Sequence, residues 1–522
     1  MFVVFRISSK GEFNMTEQNY DVVRTNGLVK PDYEAIVVGA GFGGMGAAIE
    51  LKKLGFDSIK IIERSDGLGG TWHLNTYPGV AVDIPSSTYS YSFEPNPYWS
   101  RLYAPGGELK AYAEHVANKY DLRRHMQFNL SVDNSSFDEK NKIWTINLNN
   151  GETYTSRILI LATGFLSQPK KPNIPGLESF NGKVIHTANW DHEYDLTNKN
   201  IAIIGTGATS VQLVPELAKK AKNLDVYQRT AIWVVRKHDF STPEWVKEAF
   251  SRIPLTQKVA RSTISGILEL GMVTAALRYK QFSFLAKKAQ KMGMDNLYSQ
   301  VKDPKLREQL TPKYDFGCKR PTFSNDYFST FEKDNVSLIT DSIAHIEKDG
   351  IVSGNEELRK IDTLVLATGF KMWEKGNFPA FEVYGIDEVE LGEHWYNNGY
   401  ENYDGIAVNG FPNFYNLSSP YGFTGLSYFY SIEAQMKHIN RCVTEMKKRD
   451  ALSFEVTAKA QKKFITQMKK NLKNSIIVQD GACQASNSYY FNGRQTTLIR
   501  PTSTYSALKN AESFPLKDYQ FS

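Results

Sequence analysis

The 522-residue sequence predicts an α/β fold: two Rossmann-like dinucleotide-binding domains with a helical insertion. Three observations carry that expectation. A glycine fingerprint following a β-branched run occurs twice, beginning at Gly39 and at Gly205. The pentapeptide Leu-Ala-Thr-Gly-Phe also occurs twice, at 161–165 and 366–370, each time closing a strand-like run. Between about 240 and 312 the chain is polar, Lys-rich and amphipathic without a fingerprint, as a helical insertion would be.

The first unit reads Ala35-Ile-Val-Val-Gly39-Ala-Gly41-Phe-Gly43-Gly44 and runs on into a helical pattern. Gly39 permits the tight strand-to-helix turn, Gly41 lets the backbone approach a pyrophosphate, and Gly44 allows helix to pack closely on strand. The helix N-terminus then offers unpaired N–H groups and a partial positive charge to phosphates. A second strand, Ser58 to Ile62, ends in Glu63, where an acid can accept the ribose hydroxyls of an adenosine.

The second unit, Ile201-Ala-Ile-Ile-Gly205-Thr206-Gly207-Ala208-Thr209-Ser210, has Ser210 where a third glycine is usual. Its second strand leads to Gln228-Arg229-Thr230, with Arg229 as far past Gly205 as Glu63 is past Gly39. A cation there suits a 2′-phosphate and an acid does not, so the expected ligand is NADPH.

Composition excludes several classes. Hydrophobic content of 41% and charged content of 23% describe an ordinary globular protein. A net charge of +6 over this length is mild, and nucleic acid is not an expected partner. The three cysteines, Cys318, Cys442 and Cys483, lack close spacing, which argues against a disulfide framework, a zinc site and a C-x-x-C redox pair. No metal is expected, and a reducing cytoplasm fits that reading best. The apolar stretch Ser262 to Leu277 is interrupted by Glu269 and flanked by Arg261 and Arg278. It is below spanning length and reads as a packed helix rather than a membrane-surface one, so no stable membrane insertion is expected. Oligomeric state is left open.

Between the two fingerprints lies Phe180-Asn-Gly182-Lys-Val-Ile-His186-Thr-Ala-Asn-Trp190-Asp191, or F-x-G-x-x-x-H-x-x-x-W-D. Further segments are Gly69-Gly70-Thr71-Trp72 through Tyr77-Pro-Gly to Asp83, and Phe316-Gly-Cys-Lys319-Arg320-Pro321. In this order they resemble the type I Baeyer–Villiger monooxygenases, flavoproteins that use NADPH and dioxygen to insert one oxygen atom beside a ketone carbonyl. The resemblance covers nearly all of the chain from about residue 33. It implies FAD and NADPH as cofactors and a small-molecule ketone and dioxygen as partners. The positions of the two Leu-Ala-Thr-Gly-Phe corners suggest that the NADPH domain (165–239 and 313–370) lies inside a discontinuous FAD domain (32–160 and 371–522). The insertion, 240–312, would cover the cofactor cleft, and 1–31 would be a leader.

Carried over residue by residue, the family roles put Glu63, Thr71, Trp72, Asp83 and Tyr89 at FAD. Thr206 to Gln212 would hold the NADPH pyrophosphate, Arg229 and Thr230 its 2′-phosphate, and Lys319 the nicotinamide cofactor. Tyr489 stands where several relatives have Trp and would meet the nicotinamide ribose; this loop and Ser418 to Gly425 would select the substrate. Flavin-activated oxygen must stay anionic to attack a ketone carbon, and a nearby cation lowers its pKa and stabilises the tetrahedral anion. That role falls to Arg320, with Asp83 holding its guanidinium. His186 would act in conformational coupling more than at the reacting bond, and Trp190 as an anchor. The alternative is a flavin monooxygenase oxidising amine or sulfide heteroatoms, which would not require Arg320.

Overall fold

Parallel strands built from continuous β-branched runs form the centre of each of two sheets, as expected where both faces are covered. The computed structural model describes residues 29–373, 376–417, 419–479, 481, 483–488, 490–491 and 499–522. Upstream it describes only the backbone of the short strands Val4–Ile7, Phe13–Thr16, Arg24–Thr25 and Leu28–Val29. Most of the leader expected over 1–31, together with Ser418 and Tyr489, lies outside the described residues.

The first sheet has eight strands. Its order is Glu382–Tyr384, Val132–Asp138, Ile143–Leu148, Thr153–Leu161, Tyr33–Val38, Ile59–Ile62 and Met126–Gln127, with Phe414–Asn416 also paired to Thr153–Leu161. Tyr33–Val38 runs parallel to both neighbours, and Val38 lies opposite Ile62 on one side and Leu161 on the other. That register brings the fingerprint turn, Glu63 and the Ala162-Thr-Gly corner out together at the carboxyl ends of three strands. In an open α/β sheet this edge is where ligands bind.

The second sheet is five-stranded and parallel throughout, in the order Lys183–His186, Thr363–Leu366, Asn200–Ile204, Asn223–Tyr227 and Val336–Ile339. Ile204 pairs with both Tyr227 and Leu366, so Gly205, Gln228 and Ala367 also emerge together. The chain passes between the sheets twice, and the two crossings touch. Lys170 N donates to the Gly369 carbonyl at 2.9 Å and Lys371 N to the Gln168 carbonyl at 2.9 Å.

Helices Glu244–Arg252, Pro254–Leu268 and Tyr279–Gln300 occupy the expected insertion, with a π-turn at Glu269–Val273. Among the described residues no helix is long and apolar enough to cross a membrane. One expectation is overturned: Cys318 and Cys483 form a disulfide, with Cα atoms 5.1 Å apart, while Cys442 is buried and unpaired. The two are 165 residues apart in sequence. Chain spacing reports only local pairing, and here tertiary folding closes the loop. The cysteines therefore give no ground for assigning a reducing compartment.

Candidate active site

At the carboxyl edge of the first sheet is an open cleft lined by both apolar and polar side chains. Gly39, Gly41, Glu63, Gly70, Thr71, Trp72 and Tyr89, all expected at FAD, line it. Two fingerprint glycines are demanded by the protein itself. Gly39 has φ +112°, and a Cβ there would lie 2.5 Å from the Ala162 carbonyl oxygen; at Gly44 it would lie 1.8 Å from the Gly39 oxygen. Gly41 is different, since the nearest atom to an added Cβ is Gly70 Cα at 3.6 Å. Protein packing does not require glycine at Gly41, whereas a closely approaching pyrophosphate would. The helix Phe42–Lys53 that follows has no side-chain cap, and its first residues, Phe42 and Gly43, line the cleft. Uncapped first-turn amides are what a phosphate needs.

Glu63 is buried and already committed in part. Its Oε2 accepts from Ala40 N at 2.7 Å, and its Oε1 accepts from Ser65 N at 2.9 Å and Ser65 Oγ at 2.8 Å. A carboxylate offers about four lone-pair positions, so one ribose hydroxyl fits the remaining capacity better than two. On the opposite side Trp72 Nε1 donates to the Tyr89 hydroxyl at 3.1 Å, fixing both rings edge to face. Tyr428 and Arg64 also line the cleft and were not anticipated. Arg64 directly follows Glu63 and carries no pattern of its own, and Tyr428 comes from a distant helix.

The second unit repeats this logic. Gly205 has φ +113° and a Cβ would meet the Ala367 carbonyl oxygen at 2.5 Å, while at Gly207 nothing lies within 4 Å. The repeated Ala-Thr-Gly corner is thereby explained: each presents its Ala carbonyl to the first glycine of a fingerprint. Ser210 replaces the third glycine by donating from Oγ to the Gly205 carbonyl at 2.6 Å, a spacer where Gly44 makes direct contact. Ala208 and Thr209 open the uncapped helix Ala208–Leu217. Thr206 Oγ1 donates to the Thr230 carbonyl at 2.8 Å, and Thr230 Oγ1 accepts from Asn487 in the C-terminal loop at 2.8 Å. Gln212 is occupied elsewhere. Its Oε1 accepts from the Tyr77 hydroxyl and its Nε2 donates to the Ala81 carbonyl, both at 3.0 Å, which straps this helix to the segment carrying Asp83.

Arg229 is exposed and close enough to Lys319 that its charge, after burial, lowers the Lys319 pKa. Among the described residues neither has a carboxylate partner. Two cations without a carboxylate partner among the described residues, Arg229 just past the second strand and Lys319 near it, fit a phosphate.

Arg320 meets Asp83 in a bidentate ion pair, Nε to Oδ2 at 2.6 Å and Nη2 to Oδ1 at 2.8 Å. Burial pushes the Asp83 carboxyl up, but the Arg320 charge and hydrogen bonds outweigh it and hold the group below the ordinary carboxylate value. The pair lies outside the cleft lining but near Tyr89, which does line it: that phenol, raised far above its ordinary value chiefly by burial, also responds to both charges. A planar guanidinium fixed at its back by a carboxylate can stabilise an anion formed in front of it.

The segment between the fingerprints is mostly structural. Phe180 packs in the core of the second sheet, and a Cβ at Gly182 would lie 2.5 Å from the Asp362 carbonyl oxygen. Trp190 packs on another part of that core, and Asp191 pairs with Lys183 at 2.5 Å. His186 sits beside the double crossing. Its Nδ1 accepts from Ala188 N at 3.1 Å, which places any single ring proton on Nε2. That Nε2 is buried near the Gly369 and Lys170 carbonyls without completing a hydrogen bond to a described residue. Burial lowers its pKa, and the carbonyls pull the other way.

Residues 36–269 match the family described as pyridine nucleotide-disulphide oxidoreductase. That stretch contains no cysteine, so the likeness is one of nucleotide-binding architecture. A Baeyer–Villiger monooxygenase of Pseudomonas aeruginosa is 37% identical over 465 residues, 88% of this chain and 86% of that protein. The chain belongs to the Baeyer–Villiger monooxygenase family. Another Baeyer–Villiger monooxygenase, from Streptomyces coelicolor, is 34% identical over 93% of this chain and 92% of its own length. Among solved structures, a crystal structure of OTEMO complexed with FAD and NADP superposes with a TM-score of 0.83 at 26% identity, covering 94% of this chain and 100% of that one. Membership of the Baeyer–Villiger monooxygenases accounts for the paired nucleotide sites.

Proposed function

We propose that this enzyme uses FAD, NADPH and dioxygen to insert one oxygen atom beside a ketone carbonyl, releasing an ester or lactone. The observation that carries the reading is the bidentate Asp83–Arg320 pair at the edge of the first cleft. When bound, NADPH supplies a hydride and reduced FAD supplies activated dioxygen. The protein's own residues bind, orient and neutralise. The Gly41 backbone and Glu63 hold the flavin nucleotide, with Trp72 and Tyr89 locking each other at the cleft wall. Arg229, Thr230 and Lys319 receive the 2′-phosphate side of NADPH. Arg320 faces the negative charge that develops when the carbonyl carbon is attacked, and Asp83 keeps the guanidinium oriented to that task. His186 is a positioning residue at the crossing between the sheets.

The test is product analysis by mass spectrometry after incubating the NADPH-supplied holoenzyme with a mixed panel of ketones and sulfides. Esters or lactones in one-to-one ratio with dioxygen consumed are expected. Sulfoxides alone would move the chain to heteroatom oxidation.

A further inference from the structure

The helical insertion is built inside out. In the helix Pro254–Leu268 the buried residues are Gln257 and Arg261. Ile253, Leu255, Val259, Ile267 and Leu270 are 56–68% exposed, and Trp245 on the preceding helix is 73% exposed. At 100° per residue, Leu255, Val259, Ile267 and Leu270 fall within an arc of about 120°, and Gln257 and Arg261 lie on the far side. The polar side is anchored inward. Gln257 Nε2 donates to the Asn96 carbonyl at 2.7 Å, and Arg261 Nη1 donates to the carbonyls of Ser87 at 3.0 Å and Ser90 at 2.8 Å, with the guanidinium over the Tyr430 ring at 4.9 Å. These bonds fix the helix with its apolar stripe outward.

Charge names the occupant of that stripe. Between Glu248 and Asp295 the sequence has eight Lys or Arg and one acid, Glu269, a balance of 8 − 1 = +7. The whole chain carries 62 − 56 = +6, so everything outside this segment sums to −1. Seven of the eight cations are exposed, two of them paired with the acids that bound the segment (Arg252 with Glu248, Lys291 with Asp295), whereas Glu269 points inward and accepts from Thr504 N at 2.9 Å. A helix with an apolar outer stripe, basic flanks and no outward acid is the composition of a surface that lies in the headgroup region of an anionic bilayer.

We propose that the outer face of the insertion docks on an anionic phospholipid surface, the stripe entering the acyl boundary and the lysines and arginines meeting the headgroups. No described helix can cross a membrane, so the contact is peripheral. A second copy of the chain is a poor occupant, because a two-fold contact would face one +7 segment with another. This inference stands independently of which substrate is oxidised.

The experiment is co-sedimentation of the full-length holoenzyme with vesicles rich in phosphatidylglycerol and with vesicles of phosphatidylcholine alone. Binding at least ~10-fold tighter to the anionic vesicles, weakening as salt is raised, is expected. The double variant Leu255→Glu/Ile267→Glu should lose that binding by more than ~10-fold while keeping its flavin spectrum and NADPH-dependent turnover in solution. Lys258→Glu should show a smaller loss. Absence of binding to anionic vesicles, or equal binding by the double variant, overturns the proposal. So does a lipid-free dimer, seen by light scattering, that the same variant dissociates, which would assign the face to a second copy.

Discussion

Replacing Asp83 with Asn removes the carboxylate behind Arg320 and leaves its shape. With charge centres about 4 Å apart and an effective dielectric of about 20, the pair's attraction is roughly 4 kcal/mol. The two side chains are 33% and 30% exposed, and solvent screening cuts that to about 2 kcal/mol. If this attraction holds the guanidinium in its working position, its loss lowers ester formation by up to about 30-fold. Asn retains one acceptor, so the fall should not exceed that. Arg320→Ala removes the cation itself, for which about 10²–10³-fold is expected. The assay is ester formed per NADPH oxidised at saturating ketone, and both variants should uncouple the two. Arg320→Ala forming ester within tenfold of wild type would refute Arg320 as the essential cation. Asp83→Asn falling as far as Arg320→Ala would refute a purely orienting role for the carboxylate. Stability against pH gives an independent check. The folded Asp83 pKa lies below the unfolded value of about 3.9, so the pair's contribution is complete above that pH and is lost as pH falls through the depressed value. In Arg320→Ala burial remains without its counterweight, the carboxyl pKa rises, and the variant's Tm should drop relative to wild type as pH rises through about 4.

Four further outcomes are expected. Arg229→Ala should reduce the preference for NADPH over NADH by about tenfold or more, measured as the ratio of kcat/KM values; an unchanged ratio removes Arg229 from the 2′-phosphate. Gly44→Ala should destabilise by about 1–3 kcal/mol or more even without flavin, because its Cβ would overlap the Gly39 carbonyl, whereas Gly41→Ala should leave apoprotein stability within about 1 kcal/mol and cost FAD occupancy instead. Thiol titration of the denatured, unreduced chain should find one free cysteine of three, and Cys318→Ser should lower stability by at most about 5 kcal/mol for the loop released; three free thiols would exclude the pairing. Burial keeps the folded His186 pKa below its ordinary value of about 6.5, so its contribution is complete above that pH and falls away below it; His186→Gln should flatten the acid-side slope of Tm, and an unaltered slope would place the titration elsewhere.

Both nucleotide-binding sheets were legible because a parallel strand buried on two faces writes itself as a β-branched run, and a close turn writes itself as glycine. Gly44 is forced by the Gly39 carbonyl five residues back, and Gly39 and Gly205 by their positive φ, which a local pattern can report; distant carbonyls crowd the last two as well. The partners of those contacts, Ala162 and Ala367, were visible only as an unexplained repeat. What sequence could not report were encounters between distant segments whose residue types are common. The Cys318–Cys483 bond, the Gln212 strap to Tyr77 and Ala81, and Tyr428 in the first cleft are of this kind. The outward stripe of Pro254–Leu268 was hidden for another reason. Periodicity finds an apolar face, and by itself it does not say which way that face turns; here Gln257 and Arg261 decide it by bonding inward.

The residues that mark the family are also not the ones nearest the chemistry, and the geometry gives a reason. Phe180, Gly182, Trp190 and Asp191 hold the strand Lys183–His186 on the second sheet, so that His186 meets the place where the chain crosses between sheets. Two other ties join the same bodies. Gln212, one turn into the second nucleotide-binding helix, grips the segment that ends in Asp83, and Lys319, repelled by Arg229, is the chain neighbour of Arg320. An anion settling between Arg229 and Lys319 relieves that repulsion one residue away from the guanidinium that Asp83 holds. On the proposed assignment of the two sites, occupancy of the second would therefore reach the guanidinium by two routes, the Tyr77 to Asp83 segment that Gln212 grips and the charge on Lys319 next to it in the chain.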